Sequence, residues 1–173
     1  MELSETLVSW CVSVIGAFTL VSDCSHPHGE SQVWQLKATT GETYYLKAHR
    51  RSGKRDREVW AYRHVVPDFQ EFAPRLVAIR EELPQALLLS ALPGEPMECI
   101  ALTHNKQQAA WHRAGTVLRR YHSVQSAWFG RPDRNGEPQD GAQPDAQTFW
   151  QERFGDWLAR AEKGGYLSND ETD

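Results

Sequence analysis

Residues 43–48 read Thr43-Tyr44-Tyr45-Leu46-Lys47-Ala48, a strand-like run with a single lysine among mostly apolar neighbours. An ammonium group in such surroundings costs free energy unless something anionic meets it. The run follows a tight polar turn, Thr39-Thr40-Gly41-Glu42. It precedes a cationic tract, His49 to Arg57, and a helical pattern that carries Glu58. Two readings of Lys47 are open at this point. It is half of a charge pair that receives an anionic ligand, or it is an edge-strand charge that discourages aggregation.

Working back from that run, Gln32 to Ala38 alternates Val33 and Gln35 against Trp34 and Leu36, which predicts a half-buried strand hairpinned to the Lys47 strand. A polar loop, Asp23 to Ser31, separates it from a first strand over Ala17 to Ser22. Before that, Leu3, Leu7, Cys11, Val14 and Ile15 share one helical face, with Ser4 as N-cap and a helix end near Gly16. The apolar stretch Leu7 to Val21 is shorter than a membrane span and is interrupted by Ser9, Ser13, Gly16 and Thr19. A secretory signal would open with positive charge, whereas this chain opens with Glu2 and Glu5. The expectation is a soluble, cytoplasmic protein with no membrane partner.

Working forward, Arg57 to Val66 predicts a helix with Val59, Trp60, Tyr62, Arg63 and Val66 on its contact face, ended by Pro67. The tract before it is read as a solvated loop and helix start. Strands follow at Arg75 to Glu81 and at Ala86 to Ser90, and Ala91-Leu92-Pro93-Gly94-Glu95-Pro96 then breaks regular structure. Beyond the break the pattern turns helical. Asn105 with Gln108 suggests a capping box, and Ala110, Ala114, Val117, Leu118 and Tyr121 form an apolar stripe. A Gly/Pro-rich loop spans 130–144. A last helix, Gln147 to Glu162, carries Trp150, Phe154, Trp157, Leu158 and Ala161 on one face. Strands first and helices second predict an α+β fold, with two domains meeting near Pro93: residues 1–92 and 93–173.

Composition narrows the classes. A net charge of −4 argues against a generic nucleic-acid surface. The three cysteines, Cys11, Cys24 and Cys99, form no CxxC pair, so neither a zinc ribbon nor a disulfide framework is expected. His26 and His28, with Cys24 as the nearest thiol, make too thin a ligand set for a metal.

In this order and at these spacings, Tyr45-Leu46-Lys47-Ala48, Arg57-Glu58-Val59-Trp60-Ala61-Tyr62, Ala73-Pro74-Arg75-Leu76-Val77, Leu87 to Pro96 and Ala114 to His122 resemble the N-terminal part of the aminoglycoside phosphotransferase family. That family has a protein-kinase-like fold: a small lobe of antiparallel sheet plus one helix, a hinge, and a helical lobe. The resemblance implies that Lys47 orients the α- and β-phosphates of ATP and that Glu58 pairs with Lys47. It implies that Ser90, Ala91 and Leu92 lie where such kinases bond adenine through main-chain groups. It also places the Ser25–Ser31 loop over the phosphates, within reach of Ser25 or Ser31 hydroxyls, although the loop holds only one glycine, Gly29. Tyr121-His122 suggests an acid/base pair but, at a helix end, reads as structural.

Phosphoryl transfer in this fold also uses an H-x-D-x-x-x-x-N segment and a later metal-binding aspartate, with Mg2+ accompanying ATP. None of the seven histidines is followed two residues later by aspartate, and Asp133, Asp140 and Asp145 lie in the Gly/Pro loop without the required spacing. No catalytic or metal-ligating residue is therefore assigned. The chain reads as stopping at Asp173, after an acidic 168–173 ending, just before the region where the family places its catalytic loop. That predicts the nucleotide-binding half of a small-molecule phosphotransferase without turnover of its own, with Trp150, Phe154 and Trp157 left partly uncovered. The alternative is a non-catalytic nucleotide-binding or protein-interaction module of the same descent. The acceptor and the oligomeric state are left open.

Overall fold

The computed structural model describes residues 3–49, 52–69, 71–95, 97–139 and 141–165. Arg50, Arg51, Pro96, Asp140 and the 168–173 ending, all invoked above, lie outside the described residues. Two compact units divide the chain, Met1–Val124 and Gln125–Asp173.

The first unit is built on a five-stranded antiparallel sheet. Its strands are β1 (Phe18–Asp23), β2 (Ser31–Ala38), β3 (Thr43–His49), β4 (Leu76–Arg80) and β5 (Ala86–Ser90), in the order β1-β2-β3-β5-β4. The β2–β3 turn is tight because Gly41 adopts φ 92°, a left-handed conformation open to glycine, while Ala38 and Glu42 close it with a 2.9 Å hydrogen bond.

Strand alternation divides the sheet into two faces. Trp34, Leu36, Leu46, Ala48, Ala86 and Leu88 point to one, where they pack with Leu7 and Cys11 of helix α1 (Glu5–Ile15). Ser4 caps α1 by accepting from the Leu7 amide, and Gly16 ends it at φ 73°, donating its N–H to the Val12 carbonyl. The packing face is Leu3, Leu7, Trp10, Cys11 and Ile15; Val14, expected inward, is exposed. Leu87 and Leu89 point to the other face and pack with Val59 of helix α2 (Ser52–His64), joined by Tyr45, Tyr62, Leu76 and Ile79. Leu36, Leu46, Leu87 and Leu88 have no exposed surface. Each contributes about 1.5–3 kcal/mol by leaving water.

Helix α2 differs from expectation at both ends. It begins at Ser52, so Lys54 and Arg55 of the cationic tract are helical, and it stops at His64. Pro67 sits inside a 3-10 turn, Val66–Phe69, because its missing N–H is tolerated in the first residues of a new helical turn. Arg63, expected on the contact face, is exposed. Arg55, expected in solvent, is buried between Asp56 and Glu81.

Helix α3 (His104–His122) also belongs to the first unit. Thr103 occupies its N-cap position without a side-chain bond, so Asn105 already lies in the first turn and the expected capping box does not form. Val117, Leu118 and Tyr121 line an apolar groove with Val65, Phe69 and Phe72.

In the second unit, helix α4 (Ala146–Lys163) is capped by Asp145, which accepts from the Thr148 amide at 2.8 Å. The loop before it is more ordered than its Gly/Pro content suggests. Phe129 pairs with Gln143 and Pro132 with Pro138 as isolated antiparallel bridges. Trp150, Phe154 and Trp157 are 46%, 56% and 44% exposed.

Candidate functional site

Tyr45, Lys47 and His49 alternate with the buried Leu46 and Ala48, so they lie on the sheet face that α2 covers. β3 lies between β2 and β5, which removes the edge-strand reading of Lys47. The lysine stands in the middle of the sheet, opposite Val33 on one side and Leu87 on the other.

Glu58 precedes Val59, the α2 residue seated on the sheet, and this sets it over Lys47. Lys47 Nζ donates to Glu58 Oε1 at 2.8 Å. The side chains keep 28% and 22% of their surface exposed, enough for a ligand to reach the ammonium group while the carboxylate holds it. Burial pushes the Glu58 carboxyl up. The His49 ring and the Lys47 ammonium group beside it more than offset this, and the net shift is downward, so Glu58 stays ionised. One turn along α2, Tyr62 is pushed up to about 12 by burial and by the Glu58 charge, which keeps it a neutral phenol.

His49 was not singled out from the sequence, because the strand was read as ending at Ala48. Its ring is buried, with Nε2 3.2 Å from Glu58 Oε2 and Nδ1 3.3 Å from Ser31 Oγ. Period-two alternation continued by one residue would have found it. Ser31 pairs with His49 across β2 and β3, so the structure connects Ser31, His49, Glu58 and Lys47 in one polar chain.

The β1–β2 loop is held by its own bonds. The Ser25 hydroxyl accepts from the Val33 amide at 3.0 Å, the Gly29 amide donates to the His26 carbonyl, and Glu30 pairs with Lys54 of α2. A side chain at Gly29 would meet the His26 carbonyl oxygen at 3.1 Å, which explains a glycine at that turn.

The remaining candidates, Ser90, Ala91 and Leu92, gather elsewhere. With Glu42, Thr43, Tyr44, Arg75 and Pro93 they line a cleft of about 360 Å³ at the end of β5, and Lys47 is not among its walls. Ser90 is engaged on both sides: its N–H donates to the Arg75 carbonyl and its Oγ accepts from the Arg75 amide. The Ala91 amide donates to the Thr43 carbonyl at 3.1 Å. Of these three amides, only that of Leu92 makes no hydrogen bond among the described residues.

Asp133 and Asp145 have structural work. Asp133 Oδ1 accepts from the amides of Asn135 and Glu137, and Asp145 caps α4. Tyr121 lies with its ring 6.1 Å from Phe69 and 6.1 Å from His122. Among the described residues no three His, Cys, Asp or Glu side chains gather in a way that could hold a metal ion, and no helix is long and apolar enough to cross a membrane.

The family model described as the phosphotransferase enzyme family matches residues 24–167. No curated protein and no solved structure matches the chain. The match spans the sheet from the end of β1, the Lys47–Glu58 pair, β5 with the residues after it, and both later helices. The chain belongs to the phosphotransferase enzyme family.

Proposed function

We propose that this member of the phosphotransferase enzyme family carries the nucleotide-binding part of an ATP-dependent transfer of phosphate to an alcohol group of a small molecule. The observation that carries the reading is the 2.8 Å pair between Lys47 on the central strand and Glu58 on α2. A triphosphate requires a cation of fixed position. A lysine held by a carboxylate from one side, and still partly exposed, supplies one. In this reading Lys47 binds the α- and β-phosphates and Glu58 holds Lys47. The Leu92 amide and the neighbouring main chain at Ser90 and Ala91 bond the base. Tyr45, on the face of Lys47 and one pleat nearer the end of β5, offers the base a flat apolar surface.

Lys47 and Glu58 fit the phosphates, and no residue is assigned to their magnesium ion, since no group of three or more His, Cys, Asp or Glu side chains gathers among the described residues. The sequence holds no H-x-D segment to set an acceptor hydroxyl in line. This polypeptide alone therefore binds nucleotide without transferring phosphate. A second reading, a module that binds a protein partner, is favoured by the exposed Trp150, Phe154 and Trp157.

Thermal unfolding with and without Mg·ATP separates the two. The nucleotide reading predicts a rise in Tm that Lys47→Ala abolishes, together with no label transferred from ATP to a panel of aminoglycosides and amino-alcohols. Equal melting with and without nucleotide refutes it and leaves the interaction module. Robust transfer refutes the claim of no independent turnover.

A further inference from the structure

A buried imidazole is costly unless both of its nitrogens find partners. His49, whose side chain is 2% exposed, faces Ser31 with Nδ1 and Glu58 with Nε2. Its backbone is also fixed, the amide donating to the Gln85 carbonyl at 3.0 Å. One tautomer suits both contacts: the proton on Nε2 points toward the carboxylate, and Nδ1 accepts from the Ser31 hydroxyl. The 3.2 Å Nε2–Oε2 approach lies off the line of a well-directed hydrogen bond, so the N–H acts on the carboxylate through its dipole and its proximity.

The two oxygens of Glu58 thus face two different groups, Oε1 the Lys47 ammonium that donates to it and Oε2 the His49 ring 3.2 Å away. The terminal torsion of a glutamate is broad, and a carboxylate held at one oxygen swings about it. Held at both, it presents Lys47 in one place before any ligand arrives. Such preorganisation strengthens binding because less motion is lost when the ligand docks.

We infer that His49 is a positioning residue of the phosphate-binding pair: backed by Ser31, it fixes Glu58 Oε2 so that Oε1 stays on Lys47. The inference rests on the nucleotide reading of Lys47. It differs from a plain packing role, in which the imidazole only fills space under α2.

The test is calorimetric titration of the full chain with Mg·ATP, alongside urea unfolding of each variant. His49→Leu keeps the volume and removes both polar contacts, and it weakens binding by about fivefold, the scale of one modest polar contact. His49→Gln, which restores an N–H near the position of Nε2, recovers most of the loss. In a Glu58→Gln background, His49→Leu changes the Kd by less than about twofold, since the residue it acts through is already altered. An equal loss in both backgrounds, or wild-type affinity in His49→Leu, overturns the inference. Should His49→Leu not fold, Ser31→Ala takes its place in the same cycle: a loss of about threefold that vanishes with Glu58→Gln supports the inference, and an additive loss overturns it. Absence of Mg·ATP binding by the wild-type chain overturns the nucleotide reading itself, and the inference with it.

Discussion

Replacing Glu58 by glutamine removes one charge from the site, nearly conserves shape, and has a consequence that depends on pH. At neutral pH the carboxylate accepts from Lys47 at 2.8 Å and lies 3.2 Å from His49. A hydrogen bond to a charged group contributes about 1.5–3 kcal/mol when well shielded, and an exposed ion pair contributes about 0.2–1 kcal/mol. Lys47 and Glu58 are 28% and 22% exposed, which places the pair between those limits, at about 1–2 kcal/mol. The folded-state pKa of Glu58 lies below its ordinary 4.5. Its stabilising contribution is therefore complete above the unfolded value and is lost as pH falls through the lower folded value. The stability difference between wild type and Glu58→Gln is thus expected to be about 1–2 kcal/mol at pH 7, nearly unchanged at pH 5, and shrinking below pH 4.5 as the wild-type residue also becomes neutral. Urea unfolding followed by tryptophan fluorescence at each pH measures it, with the buried Trp34 as a core reporter. A difference that is constant with pH, or that grows on acidification, would refute the assignment of an ionised, doubly held Glu58.

Other consequences concern the scaffold. Arg55→Ala leaves Asp56 and Glu81 without their shared partner and is expected to destabilise the first unit by about 2–3 kcal/mol, whereas the exposed Arg63→Ala stays within about 0.5 kcal/mol; denaturant midpoints compare the two. Burial pushes the Cys11 thiol up to about 12, while Cys24 and Cys99 are exposed. A thiol reagent at pH 8 is therefore expected to modify two cysteines in the folded protein and the third only after denaturation. Rapid modification of all three under native conditions would contradict the packing of α1 on the sheet.

The parts of the fold legible in the sequence were those set by local periodicity. Alternation through Gln32–Ala38, followed by the polar turn and the strand-like Thr43–Ala48 run, located the central hairpin, and the unbroken Ala86–Ser90 run located a strand covered on both faces. Ser4 and Gly16 bracketed α1 as expected. The misses share a cause, in that long-range partners decided them. Arg55 is inside because Glu81, 26 residues away, receives it, and no helical pattern encodes that partner. Asn105 and Gln108 matched a capping box, but the N-cap position falls two residues earlier, at Thr103. At the site, the Lys47–Glu58 pair was implied by the family resemblance, and the structure forms it at 2.8 Å. Ser31 was named for phosphate contact and is found against His49, which the sequence reading passed over because it lies at the strand end where helix-forming residues begin.

The most direct test of the account is calorimetric titration of the wild-type chain and of Lys47→Ala with Mg·ATP. The account predicts one nucleotide per chain and a loss of about ten- to a hundredfold in affinity on removing the ammonium group, as expected for a charge-assisted phosphate contact. Equal affinities in the two proteins, or no heat of binding in either, would contradict it.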